Sequence, residues 1–439
     1  MSGPKNVLIV GGGFAGLACA QKLANDSRFE VTLLDKENHH LFQPLLYQVA
    51  STSLAATDIA RSLRGILSDA KNVKVLLDTI VRIDPVNKVA TSAESEYPFD
   101  YLVLACGART SFFGKDEWAE HTVGLKSLSD ALEIRAGVLG ALERAELTKD
   151  LAKRRRLMTI VVIGGGPTGV ELAGAFSDLV RRAIRADFRN IDPTDLNIIL
   201  IEAGERLLAP FDPKLSEYAK HRLQDLGVEV MLGPSVDDIK PKRVHLDKPT
   251  SSPLVSDDGW IEADTIIWAA GVQANDLTRQ IGVPTDRGGR IEVEPDLSLP
   301  GYPDLFAAGD IISLVDKNGL KVPGLSPAAA QAGKHIAEIL REEARLETTD
   351  HAQSKVSLRP KFAYWDKGNM AIIGKSHAVM QTEKLRIKGF FAWIAWLMVH
   401  VVFLVCFRSK VFVLMQWAYA YLFNKPGAHV FVTRQDTDD

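Results

Sequence analysis

The chain has 439 residues, with 52 Lys and Arg side chains against 55 Asp and Glu, a formal net charge of −3 and 46% apolar residues. That length predicts two or three domains with buried cores, and the near-neutral charge excludes a generally basic nucleic-acid-binding protein. The three cysteines, Cys19, Cys106 and Cys406, lie far apart in the sequence. This spacing excludes a disulfide framework and a cysteine-ligated metal cluster, and it favours a reducing compartment.

The charge is segregated along the chain. Residues 384–439 carry seven basic and three acidic side chains, a net charge of +4, so residues 1–383 carry −7. Trp393, Trp396 and Trp417 fall in the same basic segment. The sequence therefore predicts an acidic body joined to a basic, aromatic and apolar tail.

The first predicted element is a buried parallel strand, because residues 6–10 form an apolar run. Residues 1–5 precede it and are too few for a secretory leader. We therefore expect the body to face the cytosol or an equivalent reducing space.

Residues 7–16 and 160–169 repeat one pattern, an apolar strand followed by a glycine-rich turn. A helical pattern follows each turn, at residues 17–23 and 170–179. The period is about 150 residues and there are only two copies, which indicates a duplicated domain rather than a solenoid.

Each helix is followed by a second apolar strand that ends in an acidic residue. Residues 31–34 precede Asp35, and residues 198–201 precede Glu202 after a polar insertion at 181–196. Together with the first strand and its glycine turn, this order is typical of a Rossmann-like βαβ unit.

Three further apolar strands, at residues 101–105, 265–268 and 305–308, end in small residues. The alternation of strands and helices predicts an α/β fold with two doubly wound, Rossmann-like domains. From about residue 354 the chain changes character, and a third region begins there.

A glycine turn between strand and helix allows the backbone to approach a pyrophosphate, which the helix N-terminus binds through its free N–H groups. Such a turn alone can be an ordinary tight turn, but two complete copies favour two dinucleotide sites. Being first in the chain, the first copy is predicted to bind FAD and the second NADH. The predicted FAD contacts are Gly11, Gly13, Phe14, Ala15, Gly16, Asp35, Lys36, Gly107 and Asp310. The predicted NADH contacts are Gly164, Gly166, Pro167, Thr168, Gly169, Glu202 and Gly271.

The acidic residues refine this prediction. A carboxylate at the end of the second strand accepts hydrogen bonds from ribose hydroxyls and repels a 2′-phosphate, so Glu202 favours NADH over NADPH. The alternative is a surface acid at a strand end. Asp310 is predicted either to border the flavin site or to serve only as a turn former or helix cap.

Two nucleotide sites in one chain predict an electron relay, in which NADH delivers hydride to a tightly held flavin. Flavin disulfide reductases need closely spaced cysteines after the first unit, but residues 39–48 contain none. The electrons are therefore expected to leave for an external acceptor without a thiol relay.

The tail contains two apolar runs, at residues 390–407 and 411–423. The first would be about 27 Å long as a helix, at the lower limit of a membrane span. A buried hairpin, a single transmembrane helix and a monotopic helical anchor all fit, and we favour the monotopic anchor. Its predicted membrane-boundary residues are Lys388, Trp393, Trp396, Arg408, Lys410 and Trp417.

These features together resemble a type II NADH:quinone oxidoreductase, the single-subunit, non-pumping NADH dehydrogenase of bacterial and mitochondrial membranes. The matching segments are residues 11–17, 39–50, 100–114, 160–174, 263–274, 305–310, 366–374 and 389–428. The resemblance implies a dimeric, peripheral FAD enzyme that reduces ubiquinone or menaquinone in the respiratory chain. It implies attachment at the cytoplasmic face of a bacterial inner membrane or the equivalent face in an organelle. It also implies an FAD domain of residues 1–125 and 290–350, an NADH domain of residues 126–289 and an anchoring region of residues 351–439.

The resemblance also suggests catalytic residues. Gln331 matches the first Gln of the family's Ala-Gln-x-x-x-Gln element, whereas His335 occupies the position of the second. Gln331, His335, Gln43 and Pro44 are therefore predicted on the quinone side, with His335 either a proton shuttle or a helix-surface residue. Glu171 is predicted to handle protons near the nicotinamide, or else only to interact with a helix dipole.

Three rival functions share some of these features. A soluble flavin reductase with a protein acceptor has the same two turns but should lack the apolar tail. A sulfide:quinone oxidoreductase needs reactive cysteines, and a redox sensor needs neither two complete sites nor an anchor. The sequence favours the quinone reductase.

Overall fold

The computed structural model describes residues 3–248, 250–346 and 358–423, so the ends of the predicted domains at 347–357 and 424–439 lie outside the described residues. The chain forms two compact units, each assembled from separated stretches. The first unit comprises Met1–Leu41, Ala60–Arg109 and Val272–Lys367. The second unit comprises Phe42–Ile59, Thr110–Gly271 and Gly368–Asp439.

The helices of the described residues are numbered along the chain. They are α1 (Phe14–Leu23), α2 (Leu46–Ala50), α3 (Ala56–Ile59), α4 (Leu63–Ile66), α5 (Leu128–Leu147), α6 (Leu151–Leu157), α7 (Pro167–Asp187), α8 (Pro213–Asp225), α9 (Leu277–Gln280), α10 (Ser326–Leu346), α11 (Phe390–Phe403) and α12 (Phe407–Phe423). Short 3₁₀ turns span Gln43–Leu45, Asp116–Glu120 and Pro193–Asp195.

The strands are numbered in the same way. They are β1 (Lys5–Val10), β2 (Phe29–Asp35), β3 (His39–Leu41), β4 (Ala60–Ser62), β5 (Val73–Leu77), β6 (Arg82–Asp84), β7 (Val89–Thr91), β8 (Glu96–Pro98), β9 (Tyr101–Leu104), β10 (Ala108–Thr110), β11 (Thr159–Ile163), β12 (Asn197–Glu202), β13 (Val228–Leu232), β14 (Val236–Lys240), β15 (Arg243–Leu246), β16 (Trp260–Glu262), β17 (Thr265–Trp268), β18 (Val272–Ala274), β19 (Ile291–Glu292), β20 (Ser298–Leu299), β21 (Tyr302–Ala307), β22 (Ile312–Ser313), β23 (Asn369–Ile372), β24 (Ala378–Gln381) and β25 (Arg386–Gly389).

The first unit is built on a six-stranded sheet with the order β20-β21-β9-β1-β2-β5. Strand β1 pairs in parallel with β2 and β9, which places Val10 opposite Leu34 and Leu104. The glycine turn, Asp35 and Cys106 therefore follow neighbouring strands at one edge of the sheet. In open α/β sheets, ligands bind at this carboxyl edge.

Helix α1 packs closely against α10 within this unit. A Cβ atom at Gly333 of α10 would lie 2.0 Å from the backbone oxygen of Ala15, so this contact requires glycine. Seven of the ten residues of α1 are buried. The helix that begins at the first glycine turn is thus enclosed in the core.

The second unit contains a four-stranded parallel sheet with the order β13-β12-β11-β17. The duplicated strand–turn–helix pattern is confirmed, since β11, α7 and β12 repeat the arrangement of β1, α1 and β2. The predicted insertion at residues 181–196 is partly wrong, because α7 continues to Asp187. The residues from Arg181 to Ala186 are mostly good helix formers, which extend the helix where polarity suggested a loop.

The tail begins with the antiparallel sheet β23-β24-β25 and continues into α11 and α12. The prediction of one apolar helix over residues 390–407 is wrong, because α11 ends at Phe403. Leu404 leaves the helical region (φ −56°, ψ 133°), and Cys406 has a φ of 73°. The Lys410 Nζ donates to the Val402 carbonyl at 2.9 Å, satisfying an acceptor that the helix end leaves open. Among the helices of the described residues, none is long and apolar enough to cross a membrane.

Candidate functional site

The first glycine turn combines close packing with an open helix end. Gly11 has a φ of +110°, and a Cβ atom there would lie 2.2 Å from the Ala105 carbonyl oxygen. A Cβ atom at Gly16 would lie 1.9 Å from the Gly11 carbonyl oxygen. By contrast, a Cβ atom at Gly13 would meet nothing within 4 Å, and no side chain caps the N-terminus of α1. This uncapped end suits a pyrophosphate, because the first N–H groups of a helix have no intrahelical partner.

Asp35 lies beside this turn, as the sequence predicts. One carboxylate oxygen of Asp35 accepts a hydrogen bond from the Gly12 N–H at 2.5 Å, and the other accepts from the Glu37 N–H at 2.7 Å. The carboxylate therefore holds the turn, and its remaining acceptor capacity is available to a ribose. Lys36 is exposed on the following loop.

The other predicted FAD residues lie in the same unit. Phe14 and Ala15 form the first turn of α1, and Ala15 is buried. Gly107 has a φ of +68°, with open space where a Cβ atom would lie. Asp310 follows Gly309 (φ +84°), and its side chain lies near Gly324. The glycine cradle and its carboxylate fit FAD, whose pyrophosphate and ribose need these donors and acceptors.

The second glycine turn repeats these features. Gly164 has a φ of +114°, and its Cβ atom would lie 2.6 Å from the Ala269 carbonyl carbon. Gly169 lies against the Gly164 carbonyl oxygen, and Gly166 faces open space. Glu202 accepts from the Gly165 N–H at 2.6 Å and from the Gly204 N–H at 2.7 Å. The second turn therefore offers a cradle of the same design.

The remaining predicted NADH residues differ in exposure. Pro167 and Thr168 are exposed in the first turn of α7. At Gly271, a Cβ atom would lie 2.6 Å from the Phe113 ring, so the absence of a side chain leaves room for that ring.

Cys106 follows β9 in the first unit. Burial raises the pKa of its thiol to about 12, as it does for Cys19. A thiol with this pKa stays protonated at neutral pH and is a poor nucleophile. The prediction of electron transfer without a thiol relay agrees with this chemistry.

Glu171 lies in the second turn of α7 and is only partly exposed. The Ile372 N–H donates to its carboxylate at 3.3 Å, and burial raises its pKa to about 8. A helix dipole would lower the pKa, so burial dominates here. Glu171 therefore retains a proton at neutral pH, which favours the proton-handling interpretation.

A hydrogen-bond chain that the sequence does not predict links the tail to two buried residues of α2. The Trp417 indole N–H donates to the Gln48 side-chain oxygen at 2.8 Å, and the Gln48 amide donates to the Tyr47 hydroxyl at 2.8 Å. Burial and the charge of Glu171 both raise the pKa of Tyr47. The only signal in the sequence is a glutamine within an otherwise apolar stretch.

Gln331 and His335 lie one helical turn apart on α10 and bind the following segment. Gln331 makes two hydrogen bonds with the Trp365 backbone, donating at 3.2 Å and accepting at 2.9 Å. The His335 Nε2 donates to the Pro360 carbonyl at 3.0 Å, and burial lowers the pKa of its imidazole. These contacts favour a structural role for His335 over a proton shuttle. Gln43 and Pro44 belong to the other unit, and both are half-buried.

Helices α11 and α12 present many large apolar side chains to solvent. We call this set the apolar surface of the tail: Phe390, Phe391, Ile394, Met398, Val402, Phe403, Phe407, Phe412, Leu414, Met415 and Leu422. Lys388 is exposed just before α11, Arg408 is exposed in the first turn of α12, and Lys410 is half-buried. An exposed apolar surface of this extent marks an interaction site.

The three tail tryptophans have different environments. Trp393 is half-buried and stacks on Tyr421 with 5.4 Å between ring centroids, and Trp417 is half-buried and binds Gln48. The prediction that Trp396 meets the membrane boundary is wrong, since its side chain is 0% exposed. It packs against His400, Trp417 and Tyr47, because it lies on the inward face of α11.

Comparison with known families identifies two regions. The pyridine nucleotide-disulphide oxidoreductase family matches residues 5–333, and the NDH2 C-terminal domain matches residues 366–425.

Individual relatives match nearly the whole chain. A type II NADH:quinone oxidoreductase of Mycobacterium tuberculosis is 37% identical, over 98% of this chain and 90% of the relative. An internal alternative NAD(P)H-ubiquinone oxidoreductase of Arabidopsis thaliana mitochondria is 28% identical, over 95% of this chain and 84% of the relative. The structure of NDH2 from Plasmodium falciparum in complex with NADH has the same fold, with a TM-score of 0.84 and 20% identity, covering 96% of this chain and 99% of that one.

Proposed function

Because this chain belongs to the type II NADH:quinone oxidoreductase family, we propose that it oxidises NADH through FAD and reduces a membrane quinone. The observation that carries the proposal is the pair of glycine cradles, each held by its own carboxylate. FAD, when bound, would supply the two-electron redox chemistry that links NADH oxidation to quinone reduction.

We assign FAD to the first cradle and NADH to the second. In this assignment the N-terminus of α1 and Gly13 would bind the FAD pyrophosphate, and Asp35 would orient the ribose. In the second cradle, Gly166 leaves room for the NADH pyrophosphate, and the Glu202 charge disfavours a 2′-phosphate. We keep the predicted domain division, with FAD on residues 1–125 and 290–350, NADH on residues 126–289 and the anchor on residues 351–439.

Glu171 supplies a proton for quinol formation in this proposal. Its raised pKa keeps the carboxyl group protonated at neutral pH, so it can release a proton when the quinone is reduced. Gln331 positions the Trp365 backbone, and His335 holds the segment at Pro360. We retain Gln43 and Pro44 as quinone-side residues of the second unit.

The apolar surface of the tail is proposed to lie in one leaflet of the membrane. Its exposed aromatic and aliphatic side chains suit the acyl region, while Lys388 and Arg408 suit anionic headgroups. We propose a homodimer attached to the cytoplasmic face of a bacterial inner membrane, or to the equivalent reducing face in an organelle.

Two experiments on the full chain test this proposal. Holoprotein mixed with liposomes should float with them in a density gradient and should resist extraction by moderate salt. Bound to these liposomes, it should oxidise NADH with ubiquinone and menaquinone analogues and should turn over NADPH poorly. Complete release by moderate salt contradicts the anchor, and equal efficiency with NADPH contradicts the role of Glu202.

A further inference from the structure

His40 contacts the first glycine turn and is not among the predicted site residues. It lies in β3, and its side chain is 2% exposed. The His40 Nδ1 is 3.0 Å from the Gly12 carbonyl oxygen. A carbonyl oxygen can only accept, so the hydrogen of the imidazole lies on Nδ1. The edge of the ring meets Phe14, with centroids 5.0 Å apart, which fixes the imidazole in this orientation.

This hydrogen bond sets the direction of a neighbouring amide. In a trans peptide, the carbonyl of Gly12 and the N–H of Gly13 share one plane and point in opposite directions. Holding the Gly12 carbonyl therefore aims the Gly13 N–H away from His40. Gly13 is the residue that precedes α1, at the open helix end that suits a pyrophosphate.

The preceding peptide is held in the same manner. Asp35 accepts from the Gly12 N–H, and the Gly11 carbonyl on the opposite side of that peptide lies over Gly16. Two successive peptide planes of the turn are thus each fixed by a hydrogen bond from the surrounding protein.

The second glycine turn meets the same requirement with a different donor. There, Glu202 accepts from the Gly165 N–H, and the Leu208 backbone N–H donates to the Gly165 carbonyl at 2.8 Å. Leu208 has a φ of 50°, an uncommon conformation for leucine. In both copies a donor outside the turn binds the carbonyl of the middle glycine, although the two donors are unrelated. This recurrence indicates that the turn requires this hydrogen bond.

We propose that His40 is a positioning residue for FAD, which aims the Gly13 N–H at the FAD pyrophosphate by holding the Gly12 carbonyl. The inference rests on the proposed assignment of FAD to the first turn. The side chain acts through the backbone and need not touch the cofactor.

Asparagine and leucine at position 40 form a matched pair for the test. Asparagine places an amide nitrogen where Nδ1 of histidine lies, whereas leucine has nearly the same shape and no donor. Both substitutions remove the ring that contacts Phe14, so their difference isolates the hydrogen bond to Gly12. At a buried position, leucine should stabilise the fold more than asparagine does. A purely structural role of His40 would therefore favour His40→Leu, whereas a positioning role favours FAD retention in His40→Asn.

The measurement is the rate at which diluted holoprotein releases FAD, followed by free-flavin fluorescence. We expect His40→Leu to release FAD about tenfold faster than His40→Asn, in line with the loss of one hydrogen bond. If a variant purifies without FAD, titration with FAD gives the same comparison as dissociation constants. NADH binding at the second turn should be equal in both variants, which shows that the fold is intact.

Substitutions of the adjacent His39 provide the control, since its Nδ1 contacts the Asn38 side chain instead. His39→Asn and His39→Leu should release FAD at the wild-type rate. Equal release from His40→Asn and His40→Leu would overturn the role of His40. A wild-type protein that binds no FAD would instead overturn the proposed function itself.

Discussion

The two glycine turns share one backbone design but belong to helices with different surroundings. Each has a glycine with positive φ, a middle glycine held by a carboxylate and a third glycine facing open space. Helix α1 packs on α10 through the Gly333 contact, and Ala18 in it is buried. At the position of Ala18, α7 carries Glu171, whose pKa is raised to about 8.

In the proposed assignment, this difference distinguishes the turn for FAD from the turn for NADH. Burial does not distinguish the two helices, since seven of the first ten residues are buried in each. Helix α7 instead brings an ionisable group beside the second nucleotide site. The two copies thus share the cradle, and the helix after the second carries the group that we propose to handle protons, where the first has Ala18.

The largest effects should come from glycines with positive φ. Gly11→Ala and Gly164→Ala should each lower the free energy of unfolding by about 3 kcal/mol or more, because the new Cβ atom meets backbone at 2.2 and 2.6 Å. Gly13→Ala and Gly166→Ala should leave stability nearly unchanged while weakening FAD and NADH binding, respectively. Denaturant unfolding and nucleotide titration check both halves. Equal loss of stability at all four positions would contradict this difference between the crowded and the open glycines of each turn.

Replacing Glu171 by Gln should slow quinol formation about a hundredfold, the lower end of the range for loss of a proton donor. Wild-type flavin reoxidation by quinone should fall as the pH rises through about 8, because the carboxyl group loses its proton, and the variant should lack this dependence. The rate of flavin reduction by NADH should not change. A variant that keeps the wild-type pH profile rules out Glu171 as the donor.

The same raised pKa affects stability. Between the unfolded pKa, near 4.5, and about 8 the folded state binds the extra proton, so wild-type stability should decrease as the pH rises across this interval. We compare the free energy of unfolding of Glu171→Gln with that of wild type at each pH. This difference should favour the variant by about 1–3 kcal/mol more at pH 8 than at pH 5. Urea unfolding at both pH values measures the difference, and a constant offset would refute the shift.

The two carboxylates can be compared directly. Glu202→Gln should raise the KM for NADH about tenfold and improve turnover with NADPH, because the charge that repels a 2′-phosphate is gone. Asp35→Asn should weaken FAD retention and leave the preference between NADH and NADPH unchanged. Steady-state kinetics with both nucleotides provide the test, and an unchanged preference in Glu202→Gln would remove its assigned role.

The smallest effect concerns the link between tail and body. Trp417→Phe removes the indole donor to Gln48 and should lower the free energy of unfolding by about 1 kcal/mol. Trp393→Phe, which preserves an aromatic ring over Tyr421, is the matched control and should cost less. If Trp393→Phe lowers the free energy of unfolding more than Trp417→Phe does, the hydrogen bond to Gln48 is not the main link between tail and body.

The glycine turns and seven strands (β1, β2, β9, β11, β12, β17 and β21) were predictable, because apolar runs and glycine spacing report local backbone requirements directly. The break between α11 and α12 was not, since it depends on the φ of Cys406 and on Lys410 reaching the Val402 carbonyl. Nor was the burial of Trp396, which depends on the face of α11 that packs inward. A nearly uniform apolar helix carries no periodicity from which that face can be read.

The side-chain contacts of the site were the least predictable. Asp35 and Glu202 were identified because they end strands beside known turn patterns. His40 and Gln48 were missed, since their partners Gly12 and Trp417 are 28 and 369 residues away in sequence. Tyr47 was missed because it lies in an apolar run, although its partner Gln48 is the next residue. Tertiary packing decides such contacts, and one sequence contains no direct record of them.

We expect one chain to pass electrons from NADH through a bound flavin to quinone. Stopped-flow absorbance tests it most directly: holoprotein is mixed with NADH without oxygen, and a quinone analogue is then added. We predict rapid loss of the oxidised-flavin absorbance on NADH addition and its full recovery with quinone. Flavin that NADH does not reduce, or that stays reduced in the presence of quinone, would contradict the claim.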